Sequence, residues 1–280
     1  MNLTVEAIGR SRKPQMIDTH AHLHLAHYDA DRDLVITRDL AMGLAAIIEV
    51  NISSRGWPGV KRLIEADPRL IGTVGIHAHE ASQETPRDLA KLEKWLDHPQ
   101  VVAIGETGID TYRDYAPLQN QQALFEAHVN LARESARPLV IHCRSAFEEV
   151  FKILDSAGRG EVTGVFHCFG GGLPEAEEVL ARGFYNGLGG NVTYSPQHWA
   201  PVIRELPLGS ILLETDCPYL KPAPERRGRN EPAWVYRTAD VIAEMLDISP
   251  ENLELKTETN AANLFGSRIR DLLSPEGRSA

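Results

Sequence analysis

Cysteine is nearly missing from the chain. Its 280 residues include only Cys143, Cys168 and Cys217, too few and too scattered for a disulfide framework and in keeping with a reducing compartment. Long apolar runs are missing too: none approaches the roughly eighteen residues a membrane span requires. The first fifteen residues carry Arg10, Arg12 and Lys13 but no apolar core of the kind a secretory signal needs. The expectation is a cytoplasmic protein without membrane association. Positive charge is in deficit, with 29 Lys and Arg against 39 Asp and Glu, and the net charge of -10 opposes non-specific attraction to polyanions. No internal repeat, low-complexity tract or shift in composition marks a domain boundary. What is present, 42% hydrophobic and 6% aromatic residues, is enough to bury a full core.

Apolar runs recur at Met16–Thr19, Leu44–Val50, Leu70–Ile76, Val101–Ile104, Leu139–Ile141, Val165–Phe166, Phe184–Leu188 and Ile211–Leu213. They read as strands of a buried parallel sheet. Helical spacing appears at Asp88–Leu96, Leu118–Glu134, Phe147–Leu154, Glu175–Ala181, Pro201–Leu206, Ala233–Leu246 and Pro250–Leu264, several of these opened by proline or an acidic residue. Strands alternating with helices over this length predict an α/β fold, a single (β/α)8 TIM barrel, rather than an open doubly wound sheet. The expected organisation is an N-terminal extension over 1–15, one barrel domain over 16–266 and a C-terminal tail over 267–280. The Pro- and Arg-rich insertion YLKPAPERRGRNEP follows the eighth strand directly, which assigns it to the end of the barrel where active sites form.

Polar residues close several of these strands. In MIDTHAHLHL, His20 and His22 stand two apart, so on an extended chain they point to the same side and can share a cation. The pattern returns: VVAIGETGID ends with Glu106, PLVIHCRS with His142, GVFHCFGG with His167 and ILLETDCPYL with Asp216. Borderline divalent cations prefer imidazole nitrogen and carboxylate oxygen, and six such groups suffice for two metals sharing a carboxylate. Cys143, Cys168 and Cys217 each follow one of these residues by one position. Strand alternation therefore turns the thiols away, and they are not expected to ligate. His24 extends the alternation past a ligand set that is complete without it, so its expected role is supporting or at the surface.

The motifs IDTHAHL, GIHAH, GETGID, IHCR, FHCFGG, ETDCPYL, RGRNEP and TNAANLF, in this order from Met16 to about Gly266, resemble the TatD family of metal-dependent hydrolases. The resemblance implies a barrel hydrolase with two divalent cations, Mg, Mn or Zn. It places His20, His22 and Asp216 on one cation, His142 and His167 on the other, and Glu106 on both. Two such cations would lower the pKa of a water toward neutrality and neutralise oxygens on the substrate, with Asp216 the proton acceptor. No Ser-His-Asp set, thiol nucleophile or phosphate-cradling glycine fingerprint is present. The family pattern further implies a 3'-5' exonuclease acting on single-stranded DNA or RNA ends, with no obligate protein partner evident.

Local chemistry accords with phosphate. His77 and His79 follow the third strand, Tyr112 and Arg113 the fourth, Arg144 and Ser145 the fifth, and Lys221, Arg227 and Arg229 the eighth. Arginine contacts act at hydrogen-bond range while net charge acts over a screened ~10 Å, so an acidic chain can still hold phosphates; Arg113 and Arg229 are the foremost candidates, and Tyr112 can stack on a terminal base. Ala78 in GIHAH stands where the family commonly has proline, and His198 and Trp199 have no assigned role. Two other classes compete. One keeps the metals and cuts an amide, ester or lactone, including a D-aminoacyl-tRNA deacylase; the other is a non-enzymatic metal-binding scaffold, disfavoured because Asp216 and Glu106 make an open and reactive site.

Overall fold

The computed structural model describes residues 16–274. The eight strands are β1 (Met16–Ala21), β2 (Leu44–Glu49), β3 (Leu70–Val74), β4 (Val101–Asp110), β5 (Leu139–Arg144), β6 (Gly164–Phe166), β7 (Tyr185–Leu188) and β8 (Ile211–Leu213). Their order in the sheet is their order in the chain, the arrangement of a (β/α)8 barrel. Each strand anticipated from apolar runs is present. The expected extension over 1–15 lies outside the described residues, and among those described no helix is long and apolar enough to cross a membrane.

The helices are α1 (Arg32–Ala41), α2 (Trp57–Ala66), α3 (Pro86–Glu93), α4 (Leu118–Ser135), α5 (Phe147–Ile153), α6 (Leu173–Ala181), α7 (Pro196–Glu205), α8 (Val235–Leu246), α9 (Pro250–Phe265) and α10 (Ser267–Leu273). The sequence reading missed α1, α2 and α10, the last of which occupies the start of the stretch expected to be a C-terminal tail. In α1 the buried face is Val35, Ile36, Asp39 and Leu40, and the carboxylate in its middle breaks the apolar stripe; Asp39 is held there by Arg38 at 2.7 Å and the Ala233 N–H at 3.0 Å. In α2 the opening Gly56-Trp57-Pro58-Gly59 has turn composition, yet Pro58 sits in the first turn, where a missing N–H costs nothing. Helix α7 begins at Pro196, five residues before the expected start at Pro201, which lies within it.

Two compact units divide the chain. Of the described residues, one comprises those up to Ile48 together with those from Gly187 onward, the other Glu49–Asn186. In the first, α9 packs on β1 and β8, and its Asn260 amide donates to the Leu208 and Ile211 carbonyls at 2.7 and 2.8 Å, tying the helix to the start of β8. The Ala21–Cys217 bridge then joins the end of β1 to the segment after β8.

In the second unit β3, β4, β5 and β6 pair in parallel succession, and α4 packs on β4. Strand β4 runs ten residues, all buried, well past the four-residue apolar run that signalled it. Its pairing with β5 slips once: Gly105 pairs with Val140 and Thr107 with Ile141, leaving Glu106 as the extra residue of a bulge. Bulges re-aim side chains. Gly105 and Gly108 make the close approach of the two strands possible. At Gly108, where φ is +143, a Cβ would lie 1.9 Å from the His142 carbonyl oxygen.

That contact generates a test. Gly160 also has a positive φ, +71, but nothing within 4 Å of an added Cβ, so Gly160→Ala should cost only the conformational penalty of about 1 kcal/mol. Gly108→Ala adds a backbone clash costing about 1–3 kcal/mol more. Urea unfolding of the two variants should separate them by that margin, and equal midpoints would contradict the close β4–β5 approach.

Candidate metal centre

In the first unit the cluster forms where β1 ends. His20 and His22, two residues apart, bring their Nε2 atoms within 3.1 Å of each other. Asp216 Oδ1 lies 3.4 Å from His22 Nε2 and 3.9 Å from His20 Nε2. Asp216 adopts the left-handed conformation, φ 55, which aspartate tolerates better than most residues. Its N–H donates to the His20 carbonyl at 2.9 Å and the His22 N–H to the Cys217 carbonyl at 2.9 Å, locking the two segments in register. Behind them Asp18, fully buried, accepts from the backbone N–H groups of His20 and Thr215 and from the Thr215 hydroxyl, at 3.2, 2.9 and 2.6 Å. Burial pushes its carboxyl well above the usual range despite those hydrogen bonds. Two imidazole nitrogens and one carboxylate oxygen converging in buried surroundings suit a borderline divalent cation. His24, half-buried, is 6.0 Å from His22 between ring centroids.

The second unit holds a larger cluster. Glu106, aimed by the bulge, has Oε1 3.2 Å from His77 Nε2, 3.1 Å from His142 Nδ1 and 2.8 Å from His167 Nε2. His77 Nδ1 accepts the His79 N–H at 3.0 Å, so the neutral ring carries its proton on Nε2 and donates to Glu106. Burial holds His77 down to about 4, outweighing the adjacent carboxylate. On the far side of His142, Nε2 lies 3.2 Å from Asp110 Oδ2, which also takes His79 Nε2 at 2.7 Å. Burial would raise Asp110, yet hydrogen bonds from His142, His79 and the Arg113 N–H hold it well below the usual carboxylate range. For His142 burial pulls downward, but Asp110 and Glu106 outweigh it and raise the ring. Glu106, His142 and His167 can converge on one ion, and His77, His79 and His142 form a second possible group.

The substrate-contact residues named from sequence fall into three sorts. His77 and His79, expected to contact substrate, touch the ligand cluster itself. Tyr112, Arg113 and Arg144 form an exposed stack, the Arg144 guanidinium 4.1 Å and the Arg113 guanidinium 5.3 Å from the centre of the Tyr112 ring. Arg229 departs from expectation. Its terminal nitrogens donate to both oxygens of Asp31 at 2.7 and 2.8 Å, to Glu231 at 2.8 Å and to the His27 carbonyl at 2.8 Å, while the guanidinium lies 4.4 Å over Tyr28. With its terminal donors so engaged it serves the loop rather than a phosphate. Among the described residues no cysteine joins a cation-binding group, and burial pushes the Cys143 thiol up to about 12. His198 meets Trp199 edge-on at 5.7 Å.

Four residues escaped the sequence reading. Asp110 and Asp18 orient ligands as described, although GETGID and IDTH display both aspartates. Tyr115, 58% exposed, meets His79 edge-on at 4.7 Å. His128 of α4 is wholly buried; its Nε2 accepts the Ile76 N–H at 3.0 Å, just ahead of His77, and its Nδ1–H donates to the Leu124 carbonyl at 2.7 Å. Nothing in a helix-spaced histidine distinguishes such a backbone clamp from an ordinary core residue.

Strands delivering imidazoles and carboxylates at their C-terminal ends define a metal-dependent hydrolase on a barrel scaffold. Comparison with known proteins agrees. A family model described as TatD related DNase matches residues 17–266. The uncharacterised metal-dependent hydrolase YabD of Bacillus subtilis (strain 168) is 37% identical over 251 residues, 89% of this chain and 98% of that protein. The 3'-5' ssDNA/RNA exonuclease TatD of Cronobacter sakazakii is 33% identical over 256 residues, covering 89% and 97%. Among solved structures, YjjV, a TatD homologue from Escherichia coli K12, superposes with a TM-score of 0.83 at 27% identity, covering 89% of this chain and 97% of that one. The chain belongs to the TatD family of metal-dependent hydrolases, and its fold is the TIM barrel.

The clamp at His128 sets a pH dependence. Burial holds this ring down to about 4 from an ordinary 6.5, so between those values the unfolded chain binds more protons than the folded one. Stability from this source is complete above the unfolded value and falls as pH drops through the window. His128→Gln removes the titrating group, and the difference in melting temperature between about pH 7 and about pH 5 should shrink relative to wild type. An unchanged difference would remove His128 from the acid response.

Proposed function

We propose that the protein is a 3'-5' exonuclease that hydrolyses phosphodiester bonds at the ends of single-stranded DNA or RNA, using two divalent cations, Mg, Mn or Zn. The observation that carries the substrate class is the exposed Arg144–Tyr112–Arg113 stack, which begins two residues after Asp110, itself in contact with His142. A flat aromatic face flanked by guanidinium groups suits a terminal nucleotide, offering stacking to the base and bidentate donors to the phosphate. The 33% identical Cronobacter relative bears the exonuclease name, which supports the same reading.

His20, His22 and Asp216 would hold one cation, and Glu106, His142 and His167 the other. Cations so held supply an acidified water and neutralise developing charge on phosphate oxygens. The chain's own groups do the rest. Asp216, slightly exposed while Thr215 and Cys217 beside it are buried, accepts the proton of the attacking water. His77, kept neutral and donating to Glu106, fixes the orientation of that carboxylate. Arg113 and Arg144 hold the phosphate next to the scissile bond, at hydrogen-bond range where the net charge of -10 has little influence.

The test is a metal-titrated assay on a 5'-labelled single strand, its duplex and a small neutral ester. Stepwise shortening of the single strand is expected. Asp216→Asn should lower turnover by about 10²-fold or more, since general-base catalysis typically contributes that much; activity within a few-fold of wild type would remove Asp216 from the mechanism. Arg113→Ala should weaken binding and flatten the salt slope by about one unit while sparing any ester cleavage. If nucleic acid is ignored at every salt concentration and the ester or an aminoacyl bond is cut, the nuclease reading gives way to a carbonyl hydrolase.

A further inference from the structure

We infer that Asp110 is a positioning residue that holds His142 in the one tautomer able to offer Nδ1 to a cation, an inference that rests on the metal reading of Glu106, His142 and His167. Asp110 closes the GETGID motif and is wholly buried. Its two oxygens have divided work. Oδ1 accepts the backbone N–H groups of Tyr112 and Arg113 at 2.9 and 2.8 Å. Oδ2 faces His142 Nε2 at 3.2 Å and His79 Nε2 at 2.7 Å. A carboxylate accepts and does not donate, so both imidazoles must present N–H to it.

For His142 this decides the other nitrogen. With the proton on Nε2, a neutral ring bears its lone pair on Nδ1, and Nδ1 lies 3.1 Å from Glu106 Oε1 and 3.4 Å from His167 Nε2. Lone pairs gathered this closely repel unless a positive charge stands among them. A ligating histidine whose second nitrogen donates to a carboxylate is a recurrent arrangement that fixes the ring and raises its basicity.

Asp110 is itself held fast. Gln121, buried in α4, accepts the Asp110 N–H through Oε1 at 2.9 Å and donates through Nε2 to the Asp110 and Ala116 carbonyls at 3.1 and 2.8 Å. The carboxylate therefore has little freedom to follow His142 if the ring turns. The same oxygen that orients His142 also binds His79, whose ring meets Tyr115 edge-on, so a single buried group sets both a ligand and the exposed aromatic beside it.

Asp110→Asn separates orientation from fold. The amide keeps an oxygen for the Tyr112 and Arg113 N–H groups but turns an NH2 toward the two imidazoles, so His142 can accept at Nε2 only by carrying its proton on Nδ1. In long-range ¹H–¹⁵N spectra of zinc-loaded protein, wild type should show His142 with its proton on Nε2, and Asp110→Asn should lose that Nε2–H. Cobalt(II) titration by calorimetry should find one metal equivalent bound about 10–100-fold more weakly in the variant, the same equivalent that His142→Ala and His167→Ala lose, with the melting temperature of the metal-free protein within a few degrees of wild type. A wild-type Nδ1–H tautomer overturns the inference without any variant having to fold. Cobalt affinity in Asp110→Asn equal to wild type overturns it too, as does a metal equivalent lost only in His79→Ala, which would make Asp110 a ligand. Cobalt uptake unaffected by His142→Ala and His167→Ala overturns the metal reading itself, and this inference with it.

Discussion

The second unit depends on a single misalignment between two strands. Because Glu106 is the extra residue of the β4 bulge, its carboxylate leaves the pleat and meets three imidazoles from three different segments, His77, His142 and His167. Everything near it adjusts to that oxygen. The bulge in turn requires β4 and β5 to approach where only glycine fits, at Gly105 and Gly108.

Both units use the same device behind their imidazoles. Asp18 in the first and Asp110 in the second are fully buried carboxylates that ligate nothing in the sequence reading. Asp18 holds backbone, joining His20 to Thr215 and so to Asp216. Asp110 holds side chains, taking His79 and His142 on one oxygen. A buried carboxylate is costly unless surrounded by donors. Here the donors are the groups whose positions matter to the chemistry, so desolvation and orientation are coupled.

Strand positions, barrel topology and the principal imidazoles were legible because each follows from a short periodic rule: apolar runs of strand length, and polar residues at their ends. The residues that escaped obey no such rule. Asp39 interrupts the apolar face of α1 and concealed that helix, since its partners, Arg38 and the Ala233 N–H, include one almost two hundred positions away. Asp110 was in plain view, but without the bulge its relation to His142 cannot be deduced from spacing. Arg229 misled for the opposite reason. A cation in a strand-end loop reads as substrate-binding until Asp31 and Glu231 are seen to face it.

The ion pairs of Arg229 bear on how this loop can change over time. Asp31 precedes α1 and Glu231 follows Arg229 by two, and both carboxylates meet the same guanidinium with 2.7–2.8 Å contacts while Arg38 takes the other oxygen of Glu231. Loss of the arginine alone would leave two carboxylates crowded together with one remaining cation between them. Substitutions at positions 31, 38, 229 and 231 are therefore energetically coupled, the cost of each depending on which of its charged partners is still in place.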